Sequence, residues 1–317
     1  MKPSLALAAA GLALLSSLSI AQQRPPGFSP EAVATALPEE GAPKAIPGPY
    51  AVSNELAFGN DNLKVFHPTD LSKFPKKDTL PVLLWGNGGC AINVARYAGF
   101  LETIASHGFL VIGTNAGTQP QPGVPTSRAA APAPGAASDS GPRPRSATAA
   151  DLTAGVNWAI VENARDGSPL KGKIDTQHIA VMGQSCGGML SIDLGADPRV
   201  STIGVFNAGV TPEQLDRLKK LHGPVLLING HERDFMWKPS QDTFAAINNL
   251  PVFYGSRHGA GHTATAYHPG GGEFANVATN WVLWQFKNDK KAAKMFVGKS
   301  CGLCTNPNWD ADSKRLK

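Results

Sequence analysis

A serine stands between two glycines in the stretch Gly-Gln-Ser-Cys-Gly, which runs from Gly183 to Gly187. The apolar residues "IAVM" come directly before it, and "GMLSIDL" follows it. A G-x-S-x-G turn between a strand and a helix exposes the serine hydroxyl, and it points the next backbone N–H at the same place. The pattern therefore predicts that Ser185 is a nucleophile. The alternative is a structural serine in a glycine-rich turn.

A serine nucleophile needs a base, and the base needs an acid that orients it. In this arrangement the acid and then the histidine follow the serine along the chain. Asp234 lies just after the apolar run "PVLLING" and is the favoured acid, with Glu232 as its neighbour and competitor. His258 and His262 follow the run "PVFYGS", and His268 lies further on. One of these three histidines is expected to be the base.

An acyl-transfer site also needs hydrogen-bond donors for the negative oxygen of its intermediate. The backbone N–H of Cys186, directly after the serine, is one expected donor. The glycine-rich loop in "LLWGNGGCAIN", which contains Cys90, follows an early apolar run and is expected to supply the second. The alternative for this loop is an ordinary tight turn.

Six short apolar runs predict the strands that must position these residues. Each ends in turn residues and is apolar throughout, as is typical of strands buried on both faces. They span residues 80–86, 108–115, 178–183, 200–207, 224–230 and 251–256. Alternation of such strands with helices predicts an α/β fold with a doubly wound, mostly parallel sheet. Ligands bind at the carboxyl ends of the strands in such sheets.

Two helices are predicted from capping and periodicity. Thr148 and Asp151 have the spacing of a capping box. Apolar residues then follow at helical spacing, at Leu152, Val156, Ala159 and Ile160. A second stripe near the C-terminus, expected to pack in the core, comprises Phe274, Val277, Ala278, Trp281 and Trp284.

The N-terminus has the features of a secretory signal peptide. Lys2 precedes a short apolar run, and the small residues Ser19 and Ala21 stand where a signal peptidase requires them. A membrane anchor is the weaker alternative, because the run is short and rich in Ala and Ser. We predict a signal peptide over residues 1–21 and a secreted or periplasmic protein.

The rest of the chain is predicted to form one domain. With 317 residues, of which 42% are hydrophobic, it is long enough for a single sizeable core. Residues 22–50 lack periodicity and predict a loose N-terminal lead. Residues 51–317 form the predicted catalytic domain. Within it, residues 119–145 hold too many prolines for regular structure and predict a Pro/Ala-rich surface loop.

Composition excludes several partners and cofactors. The formal net charge is +5 without any block of Lys or Arg, which argues against nucleic-acid binding. No segment after the signal peptide is long and apolar enough for stable membrane insertion. No His, Glu and Asp grouping shows the spacing of metal ligands, so neither a metal nor a cofactor is expected.

Four segments resemble the α/β-hydrolase fold enzymes of the bacterial cutinase and polyester-hydrolase group, and the related dienelactone-hydrolase and platelet-activating-factor acetylhydrolase types. They are "IASHGFLVIGTN", "KGKIDTQHIAVMGQSCGG", "VLLINGHERD" and the "GH" of "GAGHTATAY". The resemblance covers about Leu80 to Met295 and implies a triad of Ser185, Asp234 and His262. It places the oxyanion donors at Cys90 and Cys186.

The resemblance implies a serine carboxylic-ester hydrolase that uses an acyl-enzyme. Its substrate would be a small-molecule or polymeric ester. Polyester hydrolases of this group commonly carry an aromatic residue where Cys90 stands, and a tryptophan in the loop where Val210 or a neighbour stands. This chain has no aromatic residue at either position, so polyester hydrolysis is the alternative and not the leading function. A non-catalytic binding module on a hydrolase fold is a second alternative.

The four cysteines predict two disulfides in an exported protein. If both oxyanion donors converge on one oxygen, Cys90 and Cys186 come close enough to bond. Two free buried thiols are the alternative. Cys301 and Cys304 would form a local structural pair. Their C-x-x-C spacing also occurs in thiol–disulfide proteins, but there it opens a helix, whereas here it lies in a Gly/Asn/Pro-rich tail.

Overall fold

The computed structural model describes residues 43–115, 145–263 and 268–317. The predicted signal peptide over residues 1–21, most of the predicted lead and nearly all of the predicted loop at 119–145 lie outside these residues. Within them, no helix combines the length and apolar character needed to cross a bilayer.

The described residues form one nine-stranded sheet. Its strands are β1 (Val52–Ala57), β2 (Asn60–Pro68), β3 (Leu80–Gly86), β4 (Leu110–Thr114), β5 (Ile174–Gln184), β6 (Thr202–Phe206), β7 (Val225–Gly230), β8 (Val252–Arg257) and β9 (Trp309–Lys314). Their order across the sheet is β1-β2-β4-β3-β5-β6-β7-β8-β9. The pairs from β4 to β8 are parallel, whereas β1–β2, β2–β4 and β8–β9 are antiparallel.

The predicted mostly parallel α/β sheet is confirmed. All six predicted strands are present, the one at 80–86 with the predicted bounds and the other five with shifted ends. The sequence patterns did not predict β1, β2 and β9. The run at 251–256 is therefore not the last strand, because β9 follows and pairs with it. In each of these three strands polar residues interrupt the apolar ones. A search for continuous apolar runs detects only strands that are covered on both faces.

Helices cover both faces of the sheet. They are α1 (Ala98–Ala105), α2 (Ala149–Ala164), α3 (Cys186–Leu194), α4 (Trp237–Ala246), α5 (Gly272–Lys287) and α6 (Lys290–Ala293). Short 3-10 turns span Leu71–Lys73, Gly88–Cys90, Ala95–Tyr97, Pro212–Lys220 and Pro269–Gly271. The predicted capping box of Thr148 and Asp151 starts α2. Leu152, Val156 and Ala159 of the apolar stripe are buried, whereas Ile160 is 40% exposed.

The core has two layers, one on each face of the sheet. Val82 and Leu84 point into the layer that contains the apolar residues of α2 and α3. Leu83 and Trp85 point into the opposite layer, which holds α1 and α5. This alternation along one strand shows that β3 is buried on both faces, as the continuous apolar run predicted.

Glycines let α3 approach the sheet closely. A Cβ atom on Gly187 would lie 2.0 Å from the carbonyl oxygen of Gly86, and one on Gly183 would lie 2.4 Å from the carbonyl oxygen of Gly187. Real Cβ atoms do not come this close to a backbone oxygen, so any side chain at Gly187 must push α3 away from β3. The glycines of the G-x-S-x-G pattern are thus explained by packing.

The substitution Gly187→Ala is expected to lower the free energy of unfolding by about 2 kcal/mol or more, because it overpacks a backbone contact. Urea unfolding followed by circular dichroism measures the change. Gly302→Ala is the matched control, because its Cβ would meet no atom closer than 3.4 Å. If the two variants unfold at the same urea concentration, the close approach of α3 and β3 is wrong.

Candidate active site

Ser185 occupies the turn between β5 and α3 in a strained backbone conformation. Its φ is 55° and its ψ is −120°, a region that residues with a side chain rarely adopt. The backbone N–H of Ser185 donates to the carbonyl oxygen of Phe206 at the end of β6, at 2.8 Å. The turn thereby holds the serine at the carboxyl edge of the sheet, as the sequence pattern predicted.

The structure brings His262, from the loop after β8, next to Ser185. Its Nε2 lies 2.9 Å from the Oγ of Ser185, and its Nδ1 lies 2.8 Å from Oδ1 of Asp234. A carboxylate accepts hydrogen bonds, so Nδ1 carries the proton and Nε2 is left to accept from the serine hydroxyl. The imidazole is oriented to act as a base toward Ser185.

Asp234 is buried, and four donors surround its carboxylate. Oδ1 accepts from Nδ1 of His262 and from the backbone N–H of Met236 at 3.0 Å. Oδ2 accepts from Nδ2 of Asn207 at 2.7 Å and from the backbone N–H of Gly230 at 3.1 Å. A buried carboxylate needs such donors to replace the water it has lost. They also fix the plane of the group that orients His262.

Asn207 is a site residue that the sequence analysis missed. It follows β6 directly, is fully buried and has a φ of 47°, so its main chain turns back toward the site. Its backbone N–H donates to the carbonyl oxygen of Ile228 in β7 at 2.8 Å. An amide residue placed directly after a buried parallel strand was the available signal, because these strand ends meet at one edge of the sheet.

The other sequence candidates take no part in this pair of hydrogen bonds from Ser185 to Asp234. Glu232 is exposed, and His258 is half-exposed, with its Nε2 at 3.0 Å from Oδ1 of Asp310. His268 begins the segment before α5, where burial lowers its pKa. Among the candidate acids and histidines, the structure therefore places Asp234 and His262 in hydrogen-bond contact with each other, and His262 in contact with Ser185.

A disulfide joins the two predicted oxyanion donors. Cys90, in the turn after β3, and Cys186, the first residue of α3, are bonded with their Cα atoms 5.1 Å apart. Cys90 has a φ of 49°, so the loop turns sharply at this residue. Because the first N–H groups of a helix have no acceptor within it, the N-terminus of α3 presents free donors beside Ser185.

The second disulfide is local and lies apart from the triad residues. Cys301 and Cys304 are bonded with their Cα atoms 5.0 Å apart, in a turn after α6. The backbone N–H of Cys304 donates to Sγ of Cys301 at 3.1 Å. Cys301 is buried among the residues of the core layer that holds α5. This placement fits a structural bond between the last turn and the core.

Phe235 supplies an aromatic ring at the site, whereas the loop after β6 does not. The ring centroids of Phe235 and His262 are 4.0 Å apart. Val210 is buried, and its backbone N–H donates to the hydroxyl of Thr243 at 2.8 Å. The position at which polyester hydrolases commonly place tryptophan thus points into the protein here, and the aromatic residue comes from the loop of Asp234.

Three residues near the site form a grouping that could hold a metal ion. The ligand atoms of His231, His258 and Asp310 all lie within 4.8 Å of one another. The spacing of metal ligands along the sequence does not reveal this grouping, because its members come from the loops after β7 and β8 and from β9. Each imidazole lies 3.0 Å from one carboxylate oxygen of Asp310. Burial would raise the pKa of Asp310, but hydrogen bonds from His258 and His231 lower it below its ordinary value.

Comparison with known proteins supports a hydrolase. The family model of platelet-activating factor acetylhydrolase, isoform II, matches residues 150–292, a range that contains Ser185, Asp234 and His262. This family is a lipase- and esterase-like α/β-hydrolase group, and the expected resemblance to it is confirmed. The chain has no significant match among curated proteins. The match and the sheet together support an ester hydrolase on an α/β-hydrolase fold.

The substitution Asn207→Gly is expected to lower the free energy of unfolding by about 2 kcal/mol, because the buried carboxylate of Asp234 loses a donor. Glycine tolerates the positive φ, so the loss reports on the amide. Differential scanning calorimetry measures it.

Asn288→Gly is the control for this substitution. Asn288 has a φ of 53° at the end of α5 but is exposed. Its replacement by glycine is expected to change stability by less than about 0.5 kcal/mol. Equal losses at the two positions would contradict the role given to Asn207.

Proposed function

We propose that this protein is a secreted serine carboxylic-ester hydrolase with a triad of Ser185, His262 and Asp234. The observation that carries the proposal is the continuous pair of hydrogen bonds from Ser185 Oγ to His262 Nε2 and from His262 Nδ1 to Asp234 Oδ1. A serine acquires nucleophilic character only beside a base that is itself oriented. The match to an acetylhydrolase family supports ester bonds as the target.

The proposed reaction has two steps, acylation of Ser185 and hydrolysis of the acyl-enzyme, and His262 accepts and returns a proton in each. Ser185 Oγ attacks the ester carbonyl carbon while Nε2 of His262 takes the hydroxyl proton, and the carbonyl electrons move to the oxygen. The tetrahedral intermediate collapses, the C–O bond to the alcohol breaks, and the alcohol leaves with the proton from His262. A water molecule then repeats the attack on the acyl-enzyme through the same base and releases the acid. Asp234 stabilises the imidazolium in both steps.

The proposed oxyanion hole consists of the backbone N–H groups of Cys90 and Cys186. The position of Cys186 at the N-terminus of α3 supports its role, because that end of a helix stabilises negative charge. The disulfide supports the pairing with Cys90, since it holds both main-chain segments at a fixed separation. Donors held in place need not reorganise when charge develops.

Polyester hydrolysis is the second candidate function, and Phe235 is the observation that favours it. An aromatic ring that packs at a tilt against the imidazole of His262 can also contact an aromatic unit of a polymer. A panel of p-nitrophenyl esters of rising acyl length, together with one aromatic polyester film, separates the two candidates. Release of soluble aromatic acid from the film favours the polymer.

Export is part of the proposal. The N-terminal signal pattern supports it, as do the two disulfides, because such bonds persist in oxidising compartments. Expression of the full chain in a bacterial host, with the mass of the released protein measured, tests the predicted cleavage after Ala21.

Ser185→Ala and His262→Ala are each expected to lower kcat for p-nitrophenyl acetate by about 10⁴-fold or more, with the fold retained. His258→Ala is the control, because His258 bonds to Asp310 and lies outside the triad. It is expected to keep kcat within a few-fold of the parent protein. Loss of activity in His258→Ala together with activity in His262→Ala would overturn the choice of base.

Removal of the Cys90–Cys186 disulfide by Cys→Ala substitution at both positions is expected to lower kcat by about 10-fold or more and to leave KM nearly unchanged. Loss of one oxyanion donor in other hydrolases costs about 10² to 10³ in kcat, and loosened donors should cost less than absent ones. The pair Cys301 and Cys304, replaced in the same way, is the control, and kcat should stay unchanged. Equal kcat in both double variants would show that the first disulfide does not preorganise the site.

A further inference from the structure

A chain of three hydrogen bonds, of which the last two are buried, connects the oxyanion loop to the loop of the base. The backbone N–H of Gly88 donates to the hydroxyl oxygen of Tyr97 at 3.0 Å. The hydroxyl of Tyr97 donates to Oε1 of Gln184 at 2.8 Å. Nε2 of Gln184 then donates to the carbonyl oxygen of His262 at 2.7 Å. Gln184 is the residue directly before Ser185, so the chain passes beside the nucleophile.

The direction of this chain is fixed by its two ends. A backbone N–H can only donate and a carbonyl oxygen can only accept. The Tyr97 hydroxyl accepts from Gly88 and must therefore send its proton to Gln184, whose amide group is then oriented with its nitrogen toward His262. No other arrangement of protons satisfies all three contacts, so loss of one link leaves the next group without its partner.

The two side chains of this chain are buried and tightly packed, whereas Gly88 at its start is partly exposed. Tyr97 and Gln184 are only 4% and 3% exposed. A Cβ atom on Gly88 would lie 2.1 Å from Oε1 of Gln184 and 2.5 Å from the hydroxyl oxygen of Tyr97. The loop therefore lies directly against the two polar side chains. Hydrogen bonds in such a setting are strong, and an unpaired member is costly.

We propose that Tyr97 and Gln184 are positioning residues that couple the oxyanion loop to the main chain of His262. The proposal rests on the proposed ester hydrolase function. Gln184 holds the carbonyl of His262 and so fixes the backbone position from which the imidazole side chain extends. Tyr97 holds Gly88, which is two residues before the donor at Cys90. Both side chains bond to backbone groups, namely the N–H of Gly88 and the carbonyl of His262. They therefore act on the reaction through the backbone that they hold.

This arrangement predicts a particular pattern of kinetic losses. Both ends of the chain serve groups that matter most in the tetrahedral state, namely the oxyanion donor and the protonated base. A loosened chain should therefore lower kcat and leave KM nearly unchanged. The two side chains belong to one path, so the loss from both should be smaller than the product of the single losses.

The test compares Tyr97→Phe, Gln184→Met and the double variant in hydrolysis of p-nitrophenyl acetate. Phenylalanine keeps the ring that packs on Trp85, whose centroid is 5.3 Å from that of Tyr97. Methionine fills the space of Gln184 without its hydrogen bonds. We expect each single variant to lose about 10-fold in kcat, and the double variant to lose about 10-fold as well, rather than about 100-fold.

Inhibition by phenylboronic acid gives a second readout, because boronic acids form a tetrahedral adduct with a serine nucleophile and mimic the intermediate. Its inhibition constant is expected to rise in parallel with the loss in kcat, while KM stays nearly constant. If the two residues had only a structural role, their substitution would lower thermal stability, but the inhibition constant would not rise while KM stays constant.

Thr202→Val is the matched control. Thr202 is fully buried, and its hydroxyl accepts from Nε1 of Trp281 and donates to the carbonyl oxygen of Pro224, both at 2.8 Å. Thr202 begins β6 and therefore lies at the opposite end of the strands from the triad. Loss of its hydroxyl should lower the melting temperature and leave kcat unchanged. An equal kcat loss in this variant would show that the effects at Tyr97 and Gln184 reflect general destabilisation.

The outcomes separate this proposal from the proposed function. A parent protein that hydrolyses the ester, with Tyr97→Phe and Gln184→Met at full kcat, overturns the positioning role alone. Single losses that multiply to about 100-fold in the double variant overturn the coupling between the two residues. A parent protein that neither hydrolyses any ester of the panel nor binds the boronic acid overturns the proposed function itself.

Discussion

The backbone turn at Ser185 is the constraint on which the site depends. A serine with a positive φ lies between the end of β5 and the start of α3, and the glycines on both sides of it let α3 approach the ends of β3 and β5 closely. The same turn sets three things at once: the direction of the hydroxyl, the position of the first N–H groups of α3, and the approach of the loop that carries Cys90. A change at one glycine would therefore alter the nucleophile and the donors together.

Bonds of different kinds then tie the neighbouring loops to this turn. The amide of Asn207 holds the acid, the amide of Gln184 holds the main chain of the base, and a disulfide holds the two oxyanion segments. Each bond joins segments that are far apart in sequence. Because most of them are buried, they gain strength from the low dielectric of the interior and leave little freedom to the triad. This rigidity is what the proposed mechanism requires of donors that must not reorganise.

The sequence analysis succeeded where one local pattern had one physical cause. Continuous apolar runs predicted the central strands, and the spacing of small residues around Ser185 predicted the turn. It failed where the cause was non-local. Asn207 and Gln184 act on residues 27 and 78 positions away, so the local sequence alone could not identify their partners. The strands β1, β2 and β9 lack continuous apolar runs, and the grouping of His231, His258 and Asp310 forms only when three separate elements meet.

Covalent labelling shows whether His262 and Asp234 activate Ser185 as a nucleophile. A fluorophosphonate reacts with an activated serine and not with an ordinary hydroxyl, and its adduct is stable enough for peptide mapping by mass spectrometry. We expect one equivalent of label, located on the peptide that contains Ser185, and no label in His262→Ala. An unlabelled parent protein, or a label located on a different serine, would contradict the activation of Ser185.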